Sequence, residues 1–160
     1  MDAQAIRDSY PAPSRILTTK TALELLHEKG HEVWSIEPTA SVYRAIEVMA
    51  EKRAGALLVM EGAKLVGIIS ERDYARRVIL QGRSSRETTV RQIMTADVVT
   101  VGPSDDLEHG MKLMTERHIR HLPVVERGHV LGVVSIGDMV RVTIAQQRYL
   151  LDELERYVSG

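Results

Sequence analysis

VWSIEPTASVYRAIEVMAEKRAGALLVMEGAKLVGIISERD, residues 33–73, and VVTVGPSDDLEHGMKLMTERHIRHLPVVERGHVLGVVSIGD, residues 98–138, fall into register without a gap when the chain is shifted by 65 positions. Val33/Val98, Pro38/Pro103, Met49/Met114, Glu51/Glu116, Leu57/Leu122, Val59/Val124, Glu61/Glu126, Gly67/Gly132, Ser70/Ser135 and Asp73/Asp138 are identical, ten pairs of 41. Most other pairs exchange like for like, as Ile68/Val133 and Lys52/Arg117 do. Self-similarity at a fixed period marks a repeat architecture. The same unit is therefore built twice.

Both copies run in one order. A short β-rich piece (Val33–Ile36; Val98–Val101) enters a proline-marked turn, where Thr39 or Ser41 in the first copy and Ser104 or Asp105 in the second are N-cap candidates. The helix that follows keeps one apolar face through Val42, Ala45, Ile46 and Met49, and in the second copy through Leu107, Met111 and Met114. Two apolar runs joined at Gly62 or Gly128 predict a hairpin: Leu57–Met60 with Leu65–Ile69, and Leu122–Val125 with Val130–Val134. Ser70 and Ser135 open a second helix. The first stops near Gly82; the second is expected to run on through Tyr149, Leu150, Leu154 and Tyr157. Thr21–Lys29 reads as a helix ended by Gly30, and residues 1–15, with Pro11 and Pro13, as loosely ordered.

A three-stranded sheet with one apolar face, expected in each repeat, cannot stand alone. The two copies are expected to pack sheet against sheet about a pseudo-two-fold axis, an α/β (α+β) fold in which each repeat is a small sheet with two helices. The predicted divisions are an N-terminal extension with one helix (1–32), repeat 1 (33–82), a linker and lead-in (83–97), repeat 2 (98–145) and a C-terminal helical extension (146–160).

Composition narrows the function classes. The chain has 160 residues, 44% of them hydrophobic, so it can bury a core. It has no Phe, so that core is aliphatic. A net charge of −1 gives no reason to expect nucleic acid or an anionic membrane as partner. Glu87, Asp97 and Asp105 also lie near Arg83, Arg86 and Arg91, the basic residues such binding would need. Absence of Cys removes disulfides, thiolate nucleophiles and Cys-based zinc sites. His118, Arg120 and His121 cluster without acidic residues at ligand spacing, so no metal site is expected. The N-terminal residues lack a signal peptide's apolar stretch, and runs such as Ala56–Met60 are too short to span a bilayer. A soluble, cytoplasmic protein is the expectation. No nucleophile elbow, phosphate-binding Gly-Lys loop or dinucleotide Gly-rich turn occurs, so catalysis is not expected.

The chemistry lies at the repeated strand end. In Gly67-Ile-Ile-Ser70-Glu-Arg-Asp73, Gly67 lets another group approach the backbone, and free amides at the helix start favour an anion. A carboxylate at Asp73 can accept hydrogen bonds from both cis hydroxyls of a ribose. Gly132, Ser135 and Asp138 repeat the arrangement. The same Ser and Asp also form an ordinary helix-capping pair, and that reading stands beside the first.

The segments VGIISERD (66–73), HIRHLPVV (118–125) and LGVVSIGD (131–138), with VRQIMT (90–95) before the second repeat, resemble the hallmark segments of cystathionine-β-synthase-type (CBS) domains. The resemblance covers Val33 to Val140 and implies a stand-alone bacterial-type CBS pair, or Bateman module, with two clefts between the repeats. Members commonly bind AMP, ADP, ATP, NAD(H) or S-adenosylmethionine there and often dimerise. By that resemblance Asp73 and Asp138 hold ribose, Ser70 and Ser135 assist, and Arg120 and His121 meet phosphate. Gly55 and Ala56 occupy the latter's positions in the first repeat, leaving room for a base or larger ligand, and Arg72 adds a cation its counterpart Gly137 cannot. Thr39 completes the expected ligand set. The expected function is an adenine-nucleotide sensor, with AMP first and NAD(H) or ATP/ADP next. It would act as a homodimer on a protein target in trans. The alternative is a dimerisation scaffold without a small-molecule ligand.

Overall fold

In the computed structural model, which describes residues 20–159, the elements in chain order are α1 (Ala22–Lys29), β1 (Ser35–Ile36), α2 (Val42–Lys52), β2 (Ala56–Glu61), β3 (Lys64–Ser70), α3 (Glu71–Tyr74), a π-helical turn (Ala75–Ile79), α4 (Val90–Ile93), α5 (Leu107–Arg117), β4 (His121–Glu126), β5 (His129–Ser135) and α6 (Ile136–Ser159). The stretch expected to be loosely ordered, residues 1–15, lies outside the described residues.

The long helices start where a side chain satisfies an open amide. Ser41 Oγ accepts from Arg44 N at 3.1 Å to begin α2. In α5 the cap is Asp106, which accepts from His109 N at 2.8 Å. That corrects the expectation of Ser104 or Asp105: Asp106 is the residue 65 positions after Ser41, and Asp105 instead accepts from Gly102 N at 2.6 Å, closing the preceding turn. Both helices end on a left-handed residue that is not Gly, Arg53 (φ 52°) and His118 (φ 53°), at equivalent positions. The next amides, Ala54 N and Ile119 N, return to Met49 O and Met114 O.

β2 and β3 form an antiparallel hairpin, with β1 parallel to β2 on its outer side. β4 and β5 pair in the same way. Both hairpins carry a register shift at the same point, Val59/Met60 and Val124/Val125. The turns differ in detail. Gly62 alone has positive φ in the first, whereas Arg127 and Gly128 both do in the second, the geometry that matches a tight turn to the twist of its strands. The counterpart of β1 shrinks to one bridge, Val101 to Val124, so the second sheet has two strands rather than three.

Two apolar cores result, and each takes a helix from elsewhere in the chain. Val42, Ala45, Met49, Leu57, Val59, Ile69 and Val78 of the first repeat close over Val90 and Ile93 of α4. Leu107, Met114, Leu122, Val124, Val134, Met139 and Val142 of the second close over Ala22, Leu25 and Leu26 of α1. The attachments are alike: Val90 N bonds Ala40 O and Ala22 N bonds Asp105 O, each at 2.8 Å. The helix preceding each repeat thus covers the other repeat. Gly67 and Gly132 make this possible. A Cβ on Gly132 would stand 2.6 Å from Leu26 Cδ2, and one on Gly67 would stand 2.5 Å from Met94 Sδ. The group these glycines admit is the covering segment of the protein itself, which gives them a packing role.

Candidate functional site

The two repeats meet along their hairpins, and the cleft between them encloses about 260 Å³. Gly55, Ala56, Leu58 and Ile68 line it from the first repeat, His121, Val133 and Ser135 from the second. Trp34, Arg53, Lys29 and the acidic Glu32 also line it. His121 opens β4 and pairs with Ser135 across the hairpin, as Ala56 pairs with Ser70. Gly55 faces the His121 ring: a Cβ there would lie 3.5 Å from Cε1. The space left by Gly55 is thus bordered by His121 rather than open to solvent alone.

At the end of β3, Ser70 and Asp73 cap α3 reciprocally. Ser70 N donates to Asp73 Oδ2 at 2.9 Å and Ser70 Oγ to the same oxygen at 3.0 Å, while Asp73 N donates to Ser70 Oγ at 3.1 Å. Oδ1 of Asp73 takes no hydrogen bond among the described residues. At the end of β5, Ser135 N donates to Asp138 Oδ2 at 2.8 Å and Asp138 N to Ser135 Oγ at 3.2 Å. The capping pair and a ligand-facing carboxylate are compatible at Asp73, because the cap uses only one oxygen.

Asp138 differs. Lys29, in the last turn of α1, donates to its Oδ2 at 2.6 Å and to Val133 O at 2.7 Å, and Arg141 bonds Oδ1. The Asp138 side chain is 3% exposed. Burial raises its pKa, but the hydrogen bonds from Lys29 and Ser135 and the Lys29 charge outweigh this and hold it below the usual carboxylate value. Burial lowers the pKa of His121; Asp138 opposes that shift, and Lys29 and Arg120 add to it.

The remaining expected residues are scattered. Arg72 reaches across the repeat boundary, its guanidinium donating to His118 O at 3.0 Å. Arg120 is exposed and makes no ion pair or side-chain hydrogen bond among the described residues, with its carbonyl accepting from Ile136 N. Thr39 is exposed in the turn after β1 and lines neither the inter-repeat cleft nor the groove between α1 and α6. Lys29, Trp34, Arg53 and Arg141 were not singled out from sequence. Arg141 lies one turn after Asp138, a spacing that signals an ion pair. Lys29 carries no such local signal, since its partner is 109 residues away.

Two repeats each end a hairpin on a Ser–Asp helix start, a tandem-repeat module in which Ser135 lines the inter-repeat cleft and Asp138 lines the groove between α1 and α6, whereas Ser70 and Asp73 line neither. The CBS domain model matches residues 29–80 and 90–144, and the chain belongs to the CBS-domain family. It is 43% identical over 125 residues to the CBS domain-containing protein CBSX3, mitochondrial, of Arabidopsis thaliana, covering 75% of this chain and 61% of that protein. A solved structure of a protein with CBS domains from Burkholderia ambifaria is 46% identical and superposes with a TM-score of 0.77 over 80% of this chain and 96% of that one. A CBS domain protein of Pyrobaculum aerophilum, solved with AMP, is 26% identical with a TM-score of 0.67, covering 74% of this chain and 89% of that one. Among the described residues no helix is long and apolar enough to cross a membrane.

Proposed function

We propose that the chain is a regulatory module that binds an adenine nucleotide between its repeats, AMP by first choice and NAD(H) or ATP/ADP next. One observation carries the reading: a Ser–Asp helix start stands at the same strand end in both repeats, and Ser135 of the second lines the inter-repeat cleft together with Gly55, Ala56 and His121. The unbonded Oδ1 of Asp73 suits a ribose hydroxyl, and an exposed, unpaired Arg120 suits phosphate oxygens in charge and geometry. Trp34 offers an aromatic face at the rim, with Lys52 Nζ 4.5 Å above its ring. The AMP complex of the P. aerophilum relative supports the ligand class.

The module binds and does not catalyse: its conspicuous carboxylates serve as caps and ribose acceptors. It works in the cytoplasm as a homodimer and passes its ligand state to a protein target in trans. A ligand present at 100 times its dissociation constant stabilises the native state by about 2.7 kcal/mol. Thermal melts with AMP, ADP, ATP, NAD, NADH and S-adenosylmethionine therefore test the proposal. A rise of several degrees with one of them, reduced in Asp73→Ala and Asp138→Ala, is expected. No shift with any compound contradicts it.

A scaffold without a small-molecule ligand is the second reading. The apolar residues exposed along α6 favour it, among them Val140, Ile144, Tyr149, Leu150, Leu151, Leu154, Tyr157 and Val158. A stable dimer indifferent to every nucleotide would establish it.

A further inference from the structure

We infer that Lys29 selects the ligands that reach Asp138, admitting those that carry a phosphate and refusing bare nucleosides. The inference rests on the nucleotide-sensor reading and concerns one of its two carboxylates. Asp73 and Asp138 stand at equivalent positions, yet their surroundings differ in charge. Asp73 keeps one oxygen without a hydrogen bond among the described residues. Both oxygens of Asp138 are taken, Oδ2 by Lys29 and Ser135 and Oδ1 by Arg141. The asymmetry comes from the covering helices. Aligned on their capping threonines, Thr21 and Thr89, α1 stays helical to Lys29 and brings its ammonium to Asp138, whereas α4 ends at Ile93 and no side chain of the segment after it bonds Asp73 among the described residues. Only the second repeat's carboxylate receives a cation from its covering helix, among the described residues.

A ribose approaching Asp138 must displace Lys29, Arg141 or both. Arg141 is 70% exposed and loses little on release, whereas Lys29 is 30% exposed and has only the neutral Val133 carbonyl as its other partner. A nucleoside diol restores the hydrogen bonds of the carboxylate and leaves the ammonium without a counter-charge, which is the expensive half of a broken pair. A phosphate on the same ligand supplies that charge, so one ion pair is exchanged for another. Lys29 is positioned for the exchange. It lines both the inter-repeat cleft and a groove of about 660 Å³ between α1 and α6, and a side chain with four rotatable bonds can move between them without moving the backbone. Lys20 and Arg141 border the same groove; Glu28, paired with Lys20 at 2.6 Å, is the acidic group there besides Asp138.

Titration calorimetry of the full chain with AMP and adenosine tests this, using Asp73→Ala to leave only the Asp138 side. In that background AMP should bind tighter than adenosine by about tenfold or more, the value of one charge-assisted hydrogen bond. Adding Lys29→Met should strengthen adenosine binding by about tenfold and narrow the ratio of the two affinities. Lys29→Arg, which keeps the charge and guards against a folding defect in the Met variant, should restore the discrimination. An AMP-to-adenosine ratio that Lys29→Met leaves unchanged overturns the inference and spares the sensor reading. Failure of wild-type protein to bind either compound overturns this inference and the choice of AMP, and the melts with the other nucleotides then decide the sensor reading separately.

Discussion

Burial lowers the pKa of the His121 imidazole below its ordinary 6.5, and hydrogen bonds from Lys29 and Ser135 bring Asp138 below its ordinary 3.8 against the opposing effect of burial. Both shifts have the same consequence for stability. A group that binds its proton less readily in the folded chain makes the native state more stable as pH rises. The His121 contribution is fully present above 6.5 and is lost as pH falls through its lowered folded value; the Asp138 contribution is present above 3.8 and is lost only in stronger acid. Melting temperatures measured between pH 5 and 8 should therefore fall on the acid side in wild type and fall less in His121→Gln. Profiles that overlay throughout would contradict the burial assigned to His121. At this scale much was legible. Ser70, Asp73, Ser135 and Asp138 could be singled out because capping pairs are local and appear twice. Lys29 could not, because nothing near it in sequence reports a carboxylate 109 residues away.

Among the elements, the covering helices decide which side chains meet. Leu26 is fully buried against Gly132, and Met94 stands against Gly67. Replacing Gly132 with Ala forces a methyl group to within 2.6 Å of Leu26 Cδ2 and 2.9 Å of Cδ1. Overpacking of this kind costs about 1–3 kcal/mol. Gly132→Ala should lower the denaturation midpoint accordingly, and pairing it with Leu26→Ala should recover part of the loss. Additive losses would mean that the two residues do not meet. Of the two, α1 was readable from its Thr21 start to its Gly30 stop, whereas α4 fell within the expected linker and lead-in of residues 83–97, and the placement of neither was legible. The clue was available in the two capping motifs: Thr21 accepts from Glu24 N, and Thr89 N donates to Gln92 Oε1. They lie 68 residues apart, three more than the repeat offset, and that slip hides them from an ungapped comparison. Hairpins and caps follow from nearby residues. The exchange of covering helices depends on contacts distant in sequence, which periodicity does not encode.

At the level of the whole molecule, α6 continues for 24 residues, and every described residue after Gln146 is exposed. Val140, Ile144, Leu151, Leu154 and Val158 follow the alternating spacing of three and four that two paired helices share, with Gln147 filling the remaining position. In the proposed homodimer a second copy would supply the matching face. Light scattering should give a dimer at micromolar concentration and a shift toward monomer when residues 147–160 are removed. A monomeric full chain, or a dimer unaffected by the truncation, would contradict this use of α6. The central claim, a nucleotide held between the repeats, has a built-in reporter. Trp34 is the only tryptophan in the chain and lines the inter-repeat cleft. Titrating AMP while following tryptophan fluorescence should give a saturable change in wild type that is lost in the Asp73→Ala/Asp138→Ala double variant. An unchanged spectrum in wild type, or an equal response in the double variant, would contradict the account.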